Sequence, residues 1–270
     1  MITKIKQDLI SYSNIDLTEL IKLLVLKDIS KLILNKNKEN INIFIMNFSK
    51  LGGFLHMKID EFLFKNLDYL NNYLDNVLLI RFYQFSNNTI TVGRLQKITQ
   101  DIINQNKDYL IVKRITGGKA VYHLPKKDLT FSVIANTNIF KKLNTKNQNI
   151  LIFIHSFFNN IVKETLISLN INLDNNRGPN NFKSFNIDKF DCFARPMDFE
   201  LVYNNKKIVG SAVKIDNNKF ILQANIKLYL IDNSLSDPKF IDKFINEFIK
   251  FFINKFYINL NLLFTGNLIN

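Results

Sequence analysis

"VKRITGGKAVYHLPKKDLTFSVI", residues 112–134, sets two adjacent glycines between basic residues and closes on a strand-like run. Gly117 and Gly118 have no Cβ, which permits positive φ and lets a ligand come close to the backbone N–H groups. Arg114 and Lys119 flank them with positive charge, suited to a phosphate, a carboxylate or a polarised thioester oxygen. The further glycine and the Lys-Ser/Thr pair of a P-loop are missing, as is the spacing of a dinucleotide fingerprint. By its residues alone the stretch reads as strand, glycine turn, strand; an ordinary turn is the commoner reading of such a stretch and a ligand loop the alternative.

Upstream, "IDLTELIKLLVLKDISKLILN" (15–35) places Leu17, Leu20, Ile21, Leu24, Ile29, Leu32 and Ile33 at helical spacing behind Asp16 as N-cap, and "KNKENIN" follows as a polar linker. Residues 1–38 are therefore expected to form a helical extension and residues 39–270 the main domain, although the helix could equally open the core. "INIFIMNF" reads as a strand, Gly52-Gly53 as a turn, and "HMKIDEFLFKNLDYLNNYL" as a helix. "VLLIRFYQF" and "NTITVGRLQ" are two strands joined at Ser86-Asn87-Asn88. Downstream, "QNILIFIHSFFNNIVKETLISL" (148–169) is a long helix whose His155 is expected to be packed rather than catalytic. "FELVYNNKKIVGSAVKIDNNKFILQANIKLYL" is a three-strand meander with Asn-rich hairpins, and a last helix starts at Pro238. Strands and helices throughout predict an α+β fold, a largely antiparallel mixed sheet with packed helices.

At 270 residues and 47% hydrophobic content the chain can bury a large core. The net charge of +13 is thinly spread, without a block or a nucleic-acid motif, so no nucleic-acid partner is expected. Cys192 is the single cysteine, which excludes an internal disulfide and a Cys-based zinc cluster. Charges break the N-terminal apolar runs early and no run approaches the ~18 apolar residues of a membrane span, so a cytoplasmic location without membrane contact is expected.

"RITGGKAVYH" followed by "DLTFSVI" resembles the signature of the lipoate-protein ligase A and octanoyltransferase family. Further family words stand in the same order: "MKIDEFL" at 57–63, "RFYQFSNNTITVGRLQ" at 81–96, "CFARPMDFEL" at 192–201 and "KKIVGSAVK" at 206–214. The resemblance implies the biotin/lipoate protein ligase catalytic-domain fold. Lys119, where ligases carry a third glycine, and the Cys-Phe at 192–193 are most similar to the octanoyl-[carrier protein]:protein N-octanoyltransferase branch. Met197, Val213 and the "LQAN" at 222–225 depart from that branch.

The resemblance implies that Cys192 takes octanoyl from octanoyl-acyl carrier protein as a thioester and passes it to a lysine of a lipoyl domain, such as glycine cleavage protein H, without a cofactor. A cysteine of ordinary pKa, about 8.5, is mostly thiol at neutral pH, so a cation beside it is needed. Lys207 is that cation by the resemblance, and the Asn204-Asn205 hairpin could fold it back toward the sulfur, leaving Lys206 in solvent. Arg81, Arg114, Thr116, Gly117, Gly118, Lys119, Ala120, His123, Gly210 and Ser211 are implied as the substrate-binding set; Arg81 and Asp60 could equally be structural, and His123 a support for the glycine loop. An ATP-dependent lipoate ligase, an amidotransferase between lipoyl domains, and a catalytically decayed lipoyl-domain binder are the alternatives.

Overall fold

The computed structural model describes residues 29–36, 39–72, 76–174, 190–194 and 200–265. A six-stranded mixed sheet carries the architecture, in the order β1 (Ile29–Lys36), β2 (Glu39–Leu51), β3 (Val77–Phe85), β7 (Leu129–Asn136), β11 (Lys219–Ile226) and β10 (Val209–Asp216). Within this sheet, among the described residues, only β2 and β3 pair parallel; its other pairs are antiparallel. The parallel step is bridged by α1 (Gly53–Lys65) and α2 (Leu67–Asn71), as a parallel pair requires a crossover. A second sheet of three strands, β5 (Leu110–Lys113), β4 (Thr89–Val92) and β6 (Val121–His123), has β4 in the middle. The α+β expectation holds.

Alternation along the central strands sorts their side chains into two layers. Leu78, Ile80 and Phe82 of β3, Phe131, Val133 and Ala135 of β7, and Phe220, Leu222 and Ala224 of β11 share one core. That core is closed by α4 (Thr137–Leu143), α5 (Ile150–Ser168) and α6 (Pro238–Thr265). Aromatic pairs stitch it together: Phe82 meets Phe248 edge-on at 5.2 Å, and Phe140 meets Phe220 at 5.0 Å, geometries preferred by the ring quadrupoles. By length and composition α5 could cross a membrane, yet its Ile154, Phe158, Ile161, Val162 and Leu166 are buried in this core. The opposite face packs against α1 and the small sheet.

The Asn-rich hairpins form as expected. Asn204 and Asn205 (φ 48° and 58°) and Asn217 and Asn218 (φ 47° and 61°) take the left-handed region, which two-residue hairpins need and asparagine tolerates. The first joins β8 (Val202–Tyr203) to β9 (Lys206–Lys207).

One expectation needs correction. The helix expected over 15–35 is a strand in its last part: Ile29–Lys36 pairs with β2 from Ile29↔Met46 to Lys36↔Glu39. Its apolar run, Leu32-Ile33-Leu34, is too short for periodicity to separate helix from strand, and the partner strand decides. Residues 1–28 lie outside the described residues. The glycine stretch is the strand, turn and strand expected; β5 and β6 do not pair with each other but flank β4, one parallel and one antiparallel, so the turn crosses over the end of the small sheet.

Candidate active site

On the face opposite α4, α5 and α6, which α1 covers, two cross-strand rows break the apolar pattern. Arg81, Ser132, Gln223 and Ala212 stand side by side across four strands, and Tyr83, Thr130, Asn225 and Gly210 form the next row. The first row closes on Asp60 of α1, which is fully buried. Arg81 Nη1 and Ser132 Oγ donate to Asp60 Oδ1, while Tyr83 Oη (2.9 Å) and Gln223 Nε2 (2.6 Å) donate to Oδ2. Burial and the Asp60 charge push the Tyr83 hydroxyl well above its usual 10, which keeps it a donor.

Polarity passes outward from Asp60 in a fixed sense. Gln223 Nε2 donates to the carboxylate and to Met57 Sδ, so its oxygen faces Thr116, whose Oγ1 donates to it at 2.7 Å. Thr116 Oγ1 then accepts from Arg114 Nε at 3.1 Å. Arg114 spends its remaining donors on the carbonyls of Thr91 (2.9 Å), Gly117 (2.6 Å) and Lys119 (2.7 Å), and burial lowers it to about 10. The guanidinium thus holds the glycine loop's own carbonyls. Because C=O and N–H of one peptide point opposite ways, the N–H of Gly118 faces away from Arg114. Gly118 has φ +86° and lines a cleft between the two sheets. Met57, Phe85 and Val121 give that cleft an apolar side, and Cys192 stands in its wall.

Cys192 is placed by backbone. Ala120 N donates to Phe190 O and Cys192 N donates to Ala120 O, each at 2.8 Å, so residues 190–192 run alongside Ala120 just past the glycines. Asp191 Oδ1 then accepts from Phe193 N at 3.0 Å and turns the chain into a short 3₁₀ segment, Cys192–Ala194. From the hairpin, Lys207 Nζ reaches Cys192 Sγ at 3.6 Å, Cys192 O at 2.9 Å and Glu200 at 2.7 Å. Lys207 is 4% exposed, a buried cation with its counter-charge beside it. The Phe193 ring lies under both Lys207 Nζ (5.4 Å) and Lys227 Nζ (5.0 Å). Gly210 makes room for it: a Cβ there would lie 2.9 Å from Phe193 Cε2 and 3.6 Å from Sγ.

A second buried cluster adjoins the cleft. Lys227 Nζ (3.0 Å) and Asn225 Nδ2 (2.9 Å) donate to Asp128 Oδ2, with His123 Nδ1 at 3.4 Å. Burial alone would raise Asp128, but Lys227 and His123 bring it down to about 2. Burial lowers His123 to about 4, so it is neutral; its ring stacks on Phe85 at 3.9 Å and its Nε2 shares a hydrogen bond with Thr91 Oγ1.

The implied site set therefore divides. Cys192, Arg114, Gly118, His123, Gly210 and Ser211 line the cleft, and Lys207 touches the sulfur. Ser211 does so on a strand where Gly210 and Ala212 face the loops, so its hydroxyl turns to the helix layer and bonds His155 Nδ1 at 2.8 Å. His155 is packed, as expected, and burial lowers it to about 4. Thr116, Gly117 and Ala120 hold the loops, and Lys119 is exposed. Arg81, 1% exposed, serves Asp60 and is not among the residues lining the cleft. Met197 lies outside the described residues, and Val213 packs against the helix-side core. Glu200, Asp128 and Lys227 were not singled out from sequence, and Gln223 and Asn225 only within the departing "LQAN"; two polar residues inside the apolar run "FILQANI" were the available signal for those two.

The octanoyltransferase LipM of Clostridioides difficile is 32% identical over 169 residues, covering 59% of this chain and 56% of that protein. The LipM of Oceanobacillus iheyensis is 29% identical over 139 residues, 49% of this chain and 46% of that protein. The chain thus spans about half the length of the curated relatives it matches. Among solved structures, protein Ta0514 of T. acidophilum with bound lipoic acid superposes with a TM-score of 0.51 at 19% identity, over 79% of this chain and 85% of that one. P. falciparum LipL1 in complex with lipoate superposes at 0.53 and 20% identity, over 80% and 63%. These two share the fold. A family match over residues 53–243 takes in both sheets' site strands, the glycine loop, Cys192 and Lys207, and by it the chain belongs to the lipoyl protein ligase A/B catalytic domain family.

Proposed function

We propose that the chain transfers octanoyl from octanoyl-acyl carrier protein, through a thioester on Cys192, to a lysine of a lipoyl domain such as glycine cleavage protein H. The 3.6 Å approach of Lys207 Nζ to Cys192 Sγ, in the wall of the cleft that Gly118 also lines, carries this reading. The similarity to octanoyltransferases named LipM supports the acyl group and the reaction type.

In the first step the sulfur attacks the carrier's thioester carbonyl, a new C–S bond forms, and the carrier's thiol leaves with the proton that Cys192 gave up. One thioester replaces another, so no ATP is consumed. Lys207 stabilises negative charge on the sulfur, and Glu200 keeps the ammonium in place. The N–H of Gly118 is the donor for the oxyanion. In the second step an amine attacks the acyl-enzyme, C–N forms, C–S breaks, and the proton lost by nitrogen returns to sulfur. The apolar side of the cleft shelters the chain at about 0.8 kcal/mol per buried methylene.

Incubation with octanoyl-acyl carrier protein and no ATP, followed by intact mass, tests this. The expected result is one octanoyl adduct, absent from Cys192→Ala and discharged onto an added lipoyl domain. No adduct without ATP, or an adduct that survives in Cys192→Ala, rejects the proposal.

A further inference from the structure

Asn225 of β11 stands opposite Gly210 of β10, the residue whose Cβ position lies 3.6 Å from Cys192 Sγ. Cβ positions of directly opposed residues lie about 5 Å apart on one face. The Asn225 side chain is therefore a neighbour of the sulfur and of any carbonyl carried on it. It lines the cleft and is 3% exposed.

Its orientation is set from behind. Nδ2 faces Asp128 Oδ2 and Thr130 Oγ1, both at 2.9 Å, and His123 Nδ1 at 3.2 Å. An ionised carboxylate only accepts, so this end of the amide must be nitrogen. Oδ1 is then the end turned from the cluster, and it is buried with no hydrogen-bond partner among the described residues. A buried amide oxygen is unfavourable without a donor. The neighbouring ammoniums are committed: Lys207 to Glu200, the Cys192 carbonyl and Sγ, and Lys227 to Asp128 and the Tyr122 carbonyl.

We propose that Asn225 Oδ1 accepts an N–H of the primary amine that attacks the acyl-enzyme, aiming the nitrogen lone pair at the carbonyl carbon; this rests on Cys192 carrying the acyl group. Asn225 takes no proton. The C–N bond forms, the C–S electrons return to sulfur, and the proton released by nitrogen ends on Sγ. An attacking thiolate has no hydrogen to offer, so loading from the carrier, and its reversal by the carrier's thiol, makes no use of Oδ1.

The two half-reactions separate the claim from a structural role. Octanoyl-enzyme is isolated, then mixed with either a lipoyl domain or free carrier thiol, and each discharge is followed by intact mass. In Asn225→Ala, aminolysis is expected to slow by about 10- to 100-fold with a raised KM for the amine acceptor, while thiolysis stays within about threefold. Asn225→Ser, which keeps a hydroxyl donor for Asp128 in case the alanine variant fails to fold, is expected to show the same split. Equal slowing of both discharges, or aminolysis at the wild-type rate, overturns the inference and leaves the proposed function standing. A wild-type protein that never acquires the acyl group overturns both.

Discussion

Gly93 stands against the glycine loop more closely than any side chain allows. A Cβ there would lie 1.9 Å from Gly118 O, 2.9 Å from Gly118 C and 3.0 Å from Gly117 C. An unstrained contact needs about 3.4 Å, so Gly93→Ala forces a retreat of about 1.5 Å. The opposing atoms are main chain and cannot rotate aside. The retreat pulls Gly117 O from its 2.6 Å contact with Arg114 and moves the Gly118 N–H relative to the sulfur. A misplacement of ~1 Å can cost about 100-fold in rate, and the strain about 1–3 kcal/mol in stability. Gly117→Ala is the internal contrast: nothing lies within 4 Å of its Cβ position, and Gly118 is the described glycine that needs positive φ. Gly117→Ala should load within about threefold of wild type, the scatter of a substitution that meets no neighbour. The assay is a quenched time course of octanoyl adduct on Cys192 at saturating carrier, with thermal unfolding in parallel. A Gly93→Ala protein that loads at the wild-type rate refutes the argument, because the loop would then not be what positions the acyl carbonyl.

Three further outcomes follow from the buried polar layers. Asp60→Asn removes the counter-charge from Arg81, which is 1% exposed, and should cost about 3–5 kcal/mol in chemical denaturation; an unchanged midpoint contradicts the network. Thr116 is fully buried and passes Asp60's polarity to Arg114, so Thr116→Val should slow loading of Cys192 about tenfold while Thr116→Ser restores it; equal rates in the two variants would mean that the hydroxyl is not used. His123 and His155 are held at about 4 against an ordinary 6.5. Below about pH 6.5 the unfolded chain takes up protons that the folded chain refuses, so stability falls as pH drops toward 4, by roughly 3 kcal/mol per histidine. Asp128 works in another window: its stabilisation is present above its ordinary 3.8 and is lost only as pH falls through about 2. A melting temperature that is flat from about pH 7 to pH 4.5 contradicts the histidine assignment.

The local parts of this molecule were legible because their causes are local. "VLLIRFYQF" is β3 from end to end, both asparagine pairs are hairpins, and Pro238 opens α6. The resemblance singled out Lys207 and strand alternation left Lys206 in solvent; in β9 Lys206 is exposed and Lys207 buried. What the residues could not display is what register creates. Arg81, Ser132 and Gln223 each stand between apolar neighbours in their own strand, and only the pairing of β3, β7 and β11 sets them in one row under Asp60. Arg114 misleads for the same reason: beside two glycines its charge reads as meant for an incoming anion, whereas the fold spends it on Gly117 and Lys119 carbonyls. That difference changes what the loop offers a substrate. With the arginine drawn inward, its guanidinium is engaged by the Thr116 hydroxyl and three carbonyls, and Gly118 and Asn225 line the cleft with Cys192. Such a surface is consistent with the proposed transfer of an acyl group from a neutral thioester to a neutral amine.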